Sequence, residues 1–501
     1  MNPKTMWRTL AGVMLTALLA GGIAQARQGE PPYSLQHPAK AGFDVPIVDV
    51  APQRASERRR EVDDAAAARG TKRLGVADAR AVSIRPEDAG RWNVLDDGSR
   101  LWRVRVRAQG ATDLRLAFPH FDLPEGATLH VIGANDYYQG PYTAEDRTVA
   151  GFRSPVVPGE TATIELHLPA GVELAPGSLE LGTVGAGFRD LFGAKQTLGT
   201  GPGASGSCNI NVACPLGDAY PNEIRSVGHY EFQAADDGGF YICTGTLVAN
   251  VPRDKRNLFL SARHCVQVAS EAQSMVIYWN YESTSCNSLV APAGGYFNDN
   301  QSGATLRVTR ADTDLTLVEL SSAPDPDWNL YYAGWDASGT VPDATIGIHH
   351  PSGDVKKITA GPRPSTMANC IATTNYAGSH WRTGPYTQGT TEGGSSGSAL
   401  FASASDDGGN ARRVVGVLSG GTAGCSAVSP SQPDDGYDCY GKLSQSWDGG
   451  SAAGRLRDWL DPAGTGTRSV TGIGQNDVVF EPAPGHSGRT WPAELLHSRR
   501  R

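Results

Sequence analysis

The stretch Glu392-Gly393-Gly394-Ser395-Ser396-Gly397-Ser398-Ala399-Leu400 carries residues that could do nucleophilic chemistry. Glycine permits backbone angles other residues avoid and lets a backbone approach a ligand closely. A serine on such a turn presents its hydroxyl, with backbone N–H groups beside it aimed at a developing oxyanion. Serine is a weak nucleophile near neutral pH and needs an adjacent base. Upstream, Ser261-Ala-Arg-His264-Cys265 supplies an imidazole, and Ala311-Asp-Thr-Asp314-Leu-Thr-Leu317 supplies a carboxylate. An imidazole titrates near neutral pH, so it can take a proton from a hydroxyl and return it to a leaving group. Asp314 directly precedes the alternating Leu315-Thr-Leu-Val-Glu-Leu320 and enters the protein with that strand, whereas Asp312 is its bland competitor. The chemistry implied is acyl transfer.

Two readings of the serine stretch compete. Gly393-x-Ser395-x-Gly397 fits the nucleophile elbow of an α/β-hydrolase, an esterase using Ser395. That fold orders its partners serine, acid, histidine along the chain. After Ser395 the only histidines are His486 and His497, in a polar tail. The other reading makes Ser396 the nucleophile of a Gly-x-Ser-Gly turn, with histidine and aspartate preceding it. His264, Asp314 and Ser396 stand in that order, so this reading is preferred.

At these residues the chain resembles the bacterial lysyl endopeptidases, secreted serine proteases of the chymotrypsin fold. The resemblance runs from Ser205-Gly-Ser-Cys208 to Trp459-Leu-Asp-Pro462. It includes Cys243-Thr-Gly-Thr246, Tyr278-Trp-Asn-Tyr281, Ala333-Gly-Trp335, Ile348-His-His-Pro351 and Gly394-Ser-Ser-Gly-Ser398. It implies an all-β, double-barrel catalytic domain behind a propeptide, with protein or peptide substrates. The oxyanion hole would be the N–H groups of Gly394 and Ser396. Ser419-Gly420-Gly421 would be the strand that substrate pairs with. The specificity acid would be Asp438, in Asp438-x-Tyr440-Gly441, with Asp434 and Asp435 as loop rivals. The position six before the nucleophile, often the acid in trypsin-like enzymes, is Thr390 and cannot serve. The implied disulfides are Cys208–Cys425, Cys214–Cys286 and Cys243–Cys265; Cys370 and Cys439 remain and are expected to pair as an extra bridge. That bridge would narrow the pocket, favouring lysine's slender stem over arginine's planar fork.

Two departures matter. Animal trypsins place an aspartate before the nucleophile, to pair with a freshly cut N-terminus. Ser395 stands there and cannot form that ion pair, so activation must work otherwise, for instance by removal of a covering propeptide. Familiar lysyl endopeptidases carry histidine where Ser419 stands, near an aromatic residue; here both differ.

Composition agrees with export. The 501 residues carry a formal charge of −8, and the first 195 contribute 23 charges of each sign, so the acidic excess lies entirely beyond them. That argues against a nucleic-acid partner and mildly favours basic substrates. All eight cysteines follow position 207, as in a disulfide-bonded domain of an oxidising compartment. Close cysteine pairs with histidines at ligand spacing are lacking, so no metal and no cofactor are expected. His349-His350 before Pro351 is assigned a structural role.

Along the chain, residues 1–26 read as a signal peptide: Lys4 and Arg8, an apolar Leu10–Leu19, and a small-x-small site ending at Ala26. The apolar run is too short to span a membrane comfortably, so a secreted, monomeric product is expected, with no membrane contact once the signal is gone. Residues 27–90 form a polar pro-region, helical or disordered. Residues 91–195 alternate in short runs and read as a β-rich propeptide module, for which a permanent carbohydrate- or partner-binding module is the rival. Gly/Ser/Thr-rich residues 182–207 read as a linker. Residues 196–474 form the catalytic domain, with strands at Phe240–Val248, Leu258–Leu260, Met275–Trp279, Leu315–Leu320 and Val414–Leu418, and a helix over Ala452–Leu460. Residues 475–501 form a polar tail. Lys195 is the only lysine between Lys72 and Lys255, so self-processing would give a mature N-terminus at Gln196 or slightly later. The competing class is a protease-like binding protein or adhesin without activity; the retained His264, Asp314 and Ser396 argue against it.

Overall fold

A computed structural model describes residues 29–38, 44–69, 71–192, 202–292, 295–368, 370, 378–403, 412–449 and 451–478. The signal segment, Lys195 and most of the C-terminal tail lie outside these.

Strands dominate the regular structure of the described chain, arranged as a β module and two barrel-like sheets. In the module, Arg100–Arg107 lies between Ile47–Asp49 and Thr161–Leu168, and Thr128–Ile132 and Tyr138–Tyr142 continue that sheet. Alternation makes one face of it apolar: Trp102, Val104, Val106, Ile164 and Leu166 are buried together. A second sheet runs through Asp113–Phe118, Leu179–Gly187 and Leu74–Ile84, and these two sheets share one core.

That second sheet does not end with the module. Leu74–Ile84 also pairs antiparallel with Phe240–Val248, the second strand of the first catalytic barrel. An apolar cluster spans the junction, joining Leu74, Val76, Val156 and Leu191 to Ile242, Tyr278, Tyr281 and Phe297. Arg115 of the module lies buried between Asp113 and Glu231, its Nη2 3.0 Å from Glu231 Oε1.

Two features depart from the sequence reading. Leu74–Ile84, placed in the pro-region, is a central strand of the module. Gly182–Gly187, placed in the linker, completes the strand Leu179–Gly187. Its glycines are there for close packing. A Cβ on Gly185 would sit 2.9 Å from the Phe240 ring, and one on Gly187 would overlap the Asp113 carboxylate. The expected Ala452–Leu460 helix is two short turns, Ala452–Gly454 and Arg457–Leu460.

The first catalytic barrel contains Val227–Gln233, Phe240–Val248, Leu258–Ala262, Ala304–Arg310 and Leu315–Leu320. The second contains Thr345–His349, Lys357–Gly361, Ala399–Ala402, Arg413–Gly421, Asp438–Lys442 and His380–Thr383. Cross-links tie Cys208 to Cys425, Cys214 to Cys286, Cys243 to Cys265 and Cys370 to Cys439. Among the described residues no helix is long and apolar enough to cross a membrane.

Candidate active site

The register of two strands sets the first half of the site. Leu258–Ala262 pairs with Leu315–Leu320, and Ala262 stands opposite Leu315. His264 leaves the end of one strand and Asp314 enters the start of the other, so pairing alone makes them neighbours. Asp314 Oδ2 lies 2.7 Å from His264 Nδ1, and Oδ1 accepts from the His264 backbone N–H at 2.9 Å. The carboxylate thus fixes both the ring and the loop that carries it. Cys265 anchors the same loop to the Cys243 strand.

Ser396 comes from the second barrel, just before Ala399–Ala402. Its Oγ lies 2.7 Å from His264 Nε2. With Nδ1–H donating to Asp314, Nε2 is left as the acceptor for the serine hydroxyl. Thr244 of the first barrel holds the turn: its N–H donates to the Ser396 carbonyl at 2.8 Å and its hydroxyl to the Gly394 carbonyl at 2.9 Å. Gly394 has φ +96°, a conformation L side chains resist, and its N–H donates to the Lys72 carbonyl.

Ser395 sits elsewhere. It is fully buried, its Oγ accepting from the Glu392 N–H at 3.1 Å and lying 2.8 Å from His349 Nδ1. No described contact joins it to His264, and among the described residues the His349 ring beside it has no acid to orient it, its Nε2 being buried without a hydrogen-bond partner. His349 and His350 are both fully buried, and His350 Nδ1 lies 3.1 Å from the Asp354 carbonyl. Burial lowers the His349 pKa to about 3, with the cations Lys72 and Lys357 adding to the effect. Both are therefore neutral packing groups. A cluster of Cys243, His264 and Cys265 has metal-like proximity, but its sulfurs are bonded to each other.

Asp438 lies in the second barrel, at the edge of the strand Arg413–Gly421. It is fully buried and opens the strand Asp438–Lys442, paired with Gly421 of Arg413–Gly421. Tyr386 and Thr391 donate to its Oδ2 at 2.8 and 2.5 Å, and the Tyr386 hydroxyl meets Tyr440 at 3.0 Å. Burial, reinforced by the Asp438 charge, pushes the Tyr386 pKa well up, so the phenol stays a donor. Cys370 bonds Cys439, the next residue along the strand. Asp434 instead accepts from the Gly424 and Gly436 N–H groups and shapes its own loop.

Sequence reasoning missed several of these groups. Tyr386 and Thr391 bear no motif. At Ser419 the structure supplies a histidine from a different strand: His380 Nε2 lies 3.2 Å from Ser419 Oγ. Burial lowers the His380 pKa, the nearby Asp314 partly opposing it. Lys72 carries no motif in the sequence, yet its ammonium pairs with the Asp438 carboxylate at 2.8 Å.

Comparisons with known proteins agree with this architecture. Residues 202–441 match the family described as lysyl endopeptidase, C-terminal domain, and residues 50–185 match the lysyl endopeptidase N-terminal domain. A lysyl endopeptidase of Pseudomonas aeruginosa is 32% identical over 365 residues, covering 71% of this chain and 76% of that protein. Among solved structures, a protease of M. tuberculosis in its active form is 13% identical with a TM-score of 0.29, covering 45% of this chain and 79% of that one. An HtrA-type protease with a decapeptide is also 13% identical, with a TM-score of 0.30, covering 47% of this chain and 65% of that one. Likenesses that weak carry no argument. The protein is a serine endopeptidase with an N-terminal, propeptide-like domain. More narrowly, the chain belongs to the lysyl endopeptidase family.

Proposed function

We propose that the protein is a secreted endopeptidase that cleaves after basic residues, lysine in preference to arginine, with His264, Asp314 and Ser396 as its triad. The observation carrying this reading is the unbroken chain from Asp314 through His264 to Ser396, both links 2.7 Å long.

His264 takes the Ser396 proton as Oγ attacks the scissile carbonyl. Asp314 holds the tautomer and stabilises the imidazolium. The N–H groups of Gly394 and Ser396 receive the oxyanion, and His264 then protonates the leaving amine. Water repeats the sequence on the acyl-enzyme. Ser419, Gly420 and Gly421 offer backbone to the substrate strand. Asp438 pairs with the substrate ammonium. A buried ammonium is tolerated only when paired, so the pocket rejects neutral side chains. Its narrowness, set beside the Cys370–Cys439 bridge, favours lysine over arginine.

Residues 1–26 act as the export signal, cleaved after Ala26. Four disulfides suit the oxidising compartment so reached. Release of the catalytic domain, residues 196–474, falls at Lys195 or slightly later, with the mature N-terminus at Gln196 or just beyond.

A fluorophosphonate label should modify the wild type and not Ser396→Ala. Lysyl peptides should then be cut with higher kcat/KM than arginyl ones. Equal or faster arginyl cleavage would leave the protease standing and remove the lysine preference.

A further inference from the structure

Lys72 lies 366 residues from Asp438 in the chain, yet its Nζ is 2.8 Å from Asp438 Oδ1. The same ammonium meets the Ala423 carbonyl at 2.9 Å, the Thr391 hydroxyl at 2.5 Å and the Thr391 carbonyl at 3.2 Å. An ammonium has three protons, and acceptors surround it on every side. The backbone is placed as specifically as the side chain. The Gly394 N–H donates to the Lys72 carbonyl at 2.5 Å. Thr71 forms an antiparallel bridge with Gly420, and Leu74 pairs with Ile242 on the opposite side of the cleft. Between them, Arg73 lies 4.2 Å over the Tyr241 ring, and its Nη2 is 3.3 Å from Asp236. Ser396, two residues beyond the Gly394 N–H that meets Lys72, is fully buried.

Four subsites are therefore filled in one direction by consecutive residues. We propose that the N-terminal module inhibits its own protease domain as a substrate mimic, with Lys72 the residue that fills the specificity pocket. The proposal rests on the reading of Asp438 and Ser396 given above.

Both flanks of the Lys72–Arg73 bond are fastened. On one side, Leu74–Ile84 is locked between Leu179–Gly187 and Phe240–Val248. On the other, Ala55–Arg69 is tied back by Arg58 to Asp78 at 2.8 Å and by Asp63 to Arg189. A substrate held at both ends cannot leave, so the cleft stays closed to other peptides. The covering propeptide that the missing aspartate before Ser396 calls for thus has a defined point of contact. Self-processing at Lys195 therefore needs a cutting molecule whose own Lys72 has vacated the pocket.

The test uses the full chain. Wild type and Lys72→Ala are treated with a small neutral fluorophosphonate, and labelling is read on the uncleaved and mature-size bands separately. Wild-type uncleaved protein should label at least about tenfold more slowly than the Lys72→Ala uncleaved band, since the buried charge pair anchors the plug. Mature-size bands should label alike. Lys72→Met, which keeps the stem and loses the charge, should also label faster, with melting curves showing that the fold persists. Equal labelling of the uncleaved bands overturns the inference and leaves the protease reading intact. No label on any band overturns the Ser396 assignment, and this inference with it.

Discussion

The N-terminal module and the catalytic domain solve different problems with strands of the same kind. The module contains no cysteine and is held by two sheets closing on an apolar core. The catalytic domain carries all eight cysteines, and three of its four bridges stand beside the site. Cys265 follows His264, Cys439 follows Asp438, and Cys425 lies two residues beyond the Ala423 carbonyl that meets Lys72. An active site must bury charges and hold backbone in uncommon conformations, and both oppose folding. Covalent ties offset that cost where it arises. The module has only to present one strand and the turn before it, which apolar packing achieves.

The largest effect separates the two regions by chemistry. Ser396→Ala should lower turnover by about 10⁶-fold, the scale seen when a serine nucleophile is removed elsewhere. The module should stay docked, since Lys72 needs Asp438 and Gly394 and not the Ser396 hydroxyl. Ser395→Ala should keep the mechanism but lose stability by about 1–3 kcal/mol, because the Glu392 N–H and His349 lose a buried partner. Steady-state kinetics and urea titration of both variants check this. A dead Ser395→Ala with a live Ser396→Ala would reverse the assignment.

Next in size, Asp438→Asn should cut kcat/KM for lysyl substrates by at least about 10²-fold, in line with unpairing a buried charge. Reaction with a small neutral label should be spared in the released protease. Full lysyl activity in this variant, with loss in Asp434→Asn, would move the pocket floor to the loop.

Smaller again is the effect of the cross-links. Replacing Cys243 and Cys265 together by alanine should destabilise the catalytic domain by about 2–4 kcal/mol, as is typical of a native bridge. Reductant should likewise loosen this domain and spare the module. Hydrogen exchange after reduction should show Phe240–Val248 losing protection before Arg100–Arg107. The reverse order would undo the contrast between stapled and unstapled regions.

The same contrast explains what could be read from the chain. The meeting of His264, Asp314 and Ser396 was legible because acyl transfer, the chemistry proposed, constrains residue type and order, and strand alternation in Leu315–Leu320 put Asp314 at the strand's start. Phe240–Val248 was legible from its β-rich run between turns. Gly182–Gly187 was not, because a glycine-rich strand packed under Phe240 has the composition of a linker. Lys72 was not legible because it acts across 366 residues, through a strand shared between two domains. His380 reaches Ser419 by strand pairing, with no signal in its own neighbourhood.

A last effect, read per pH unit, tests the two regions by acid. His349 and His229 are buried in the catalytic domain with pKa values lowered to about 3, in both cases mainly by burial. An unfolded chain binds protons at these histidines below about 6.5, while the folded domain does not until near pH 3. The protonation penalty is therefore absent above pH 6.5, and stability falls as pH drops through that window. The slope is at most about 1.4 kcal/mol per pH unit for each histidine. In the module, burial raises the pKa of Glu165. Its sign is opposite: the folded state holds the proton more tightly, so stability is full below the unfolded value and is lost as pH rises. His130, lowered by burial, opposes Glu165 within the module. Acid should accordingly weaken the catalytic domain more than the module. In the Ser396→Ala background, the melting temperature should fall between pH 6.5 and pH 4, and His349→Gln should flatten that decline. An unchanged slope in His349→Gln would show that the acid sensitivity of this domain arises at other groups.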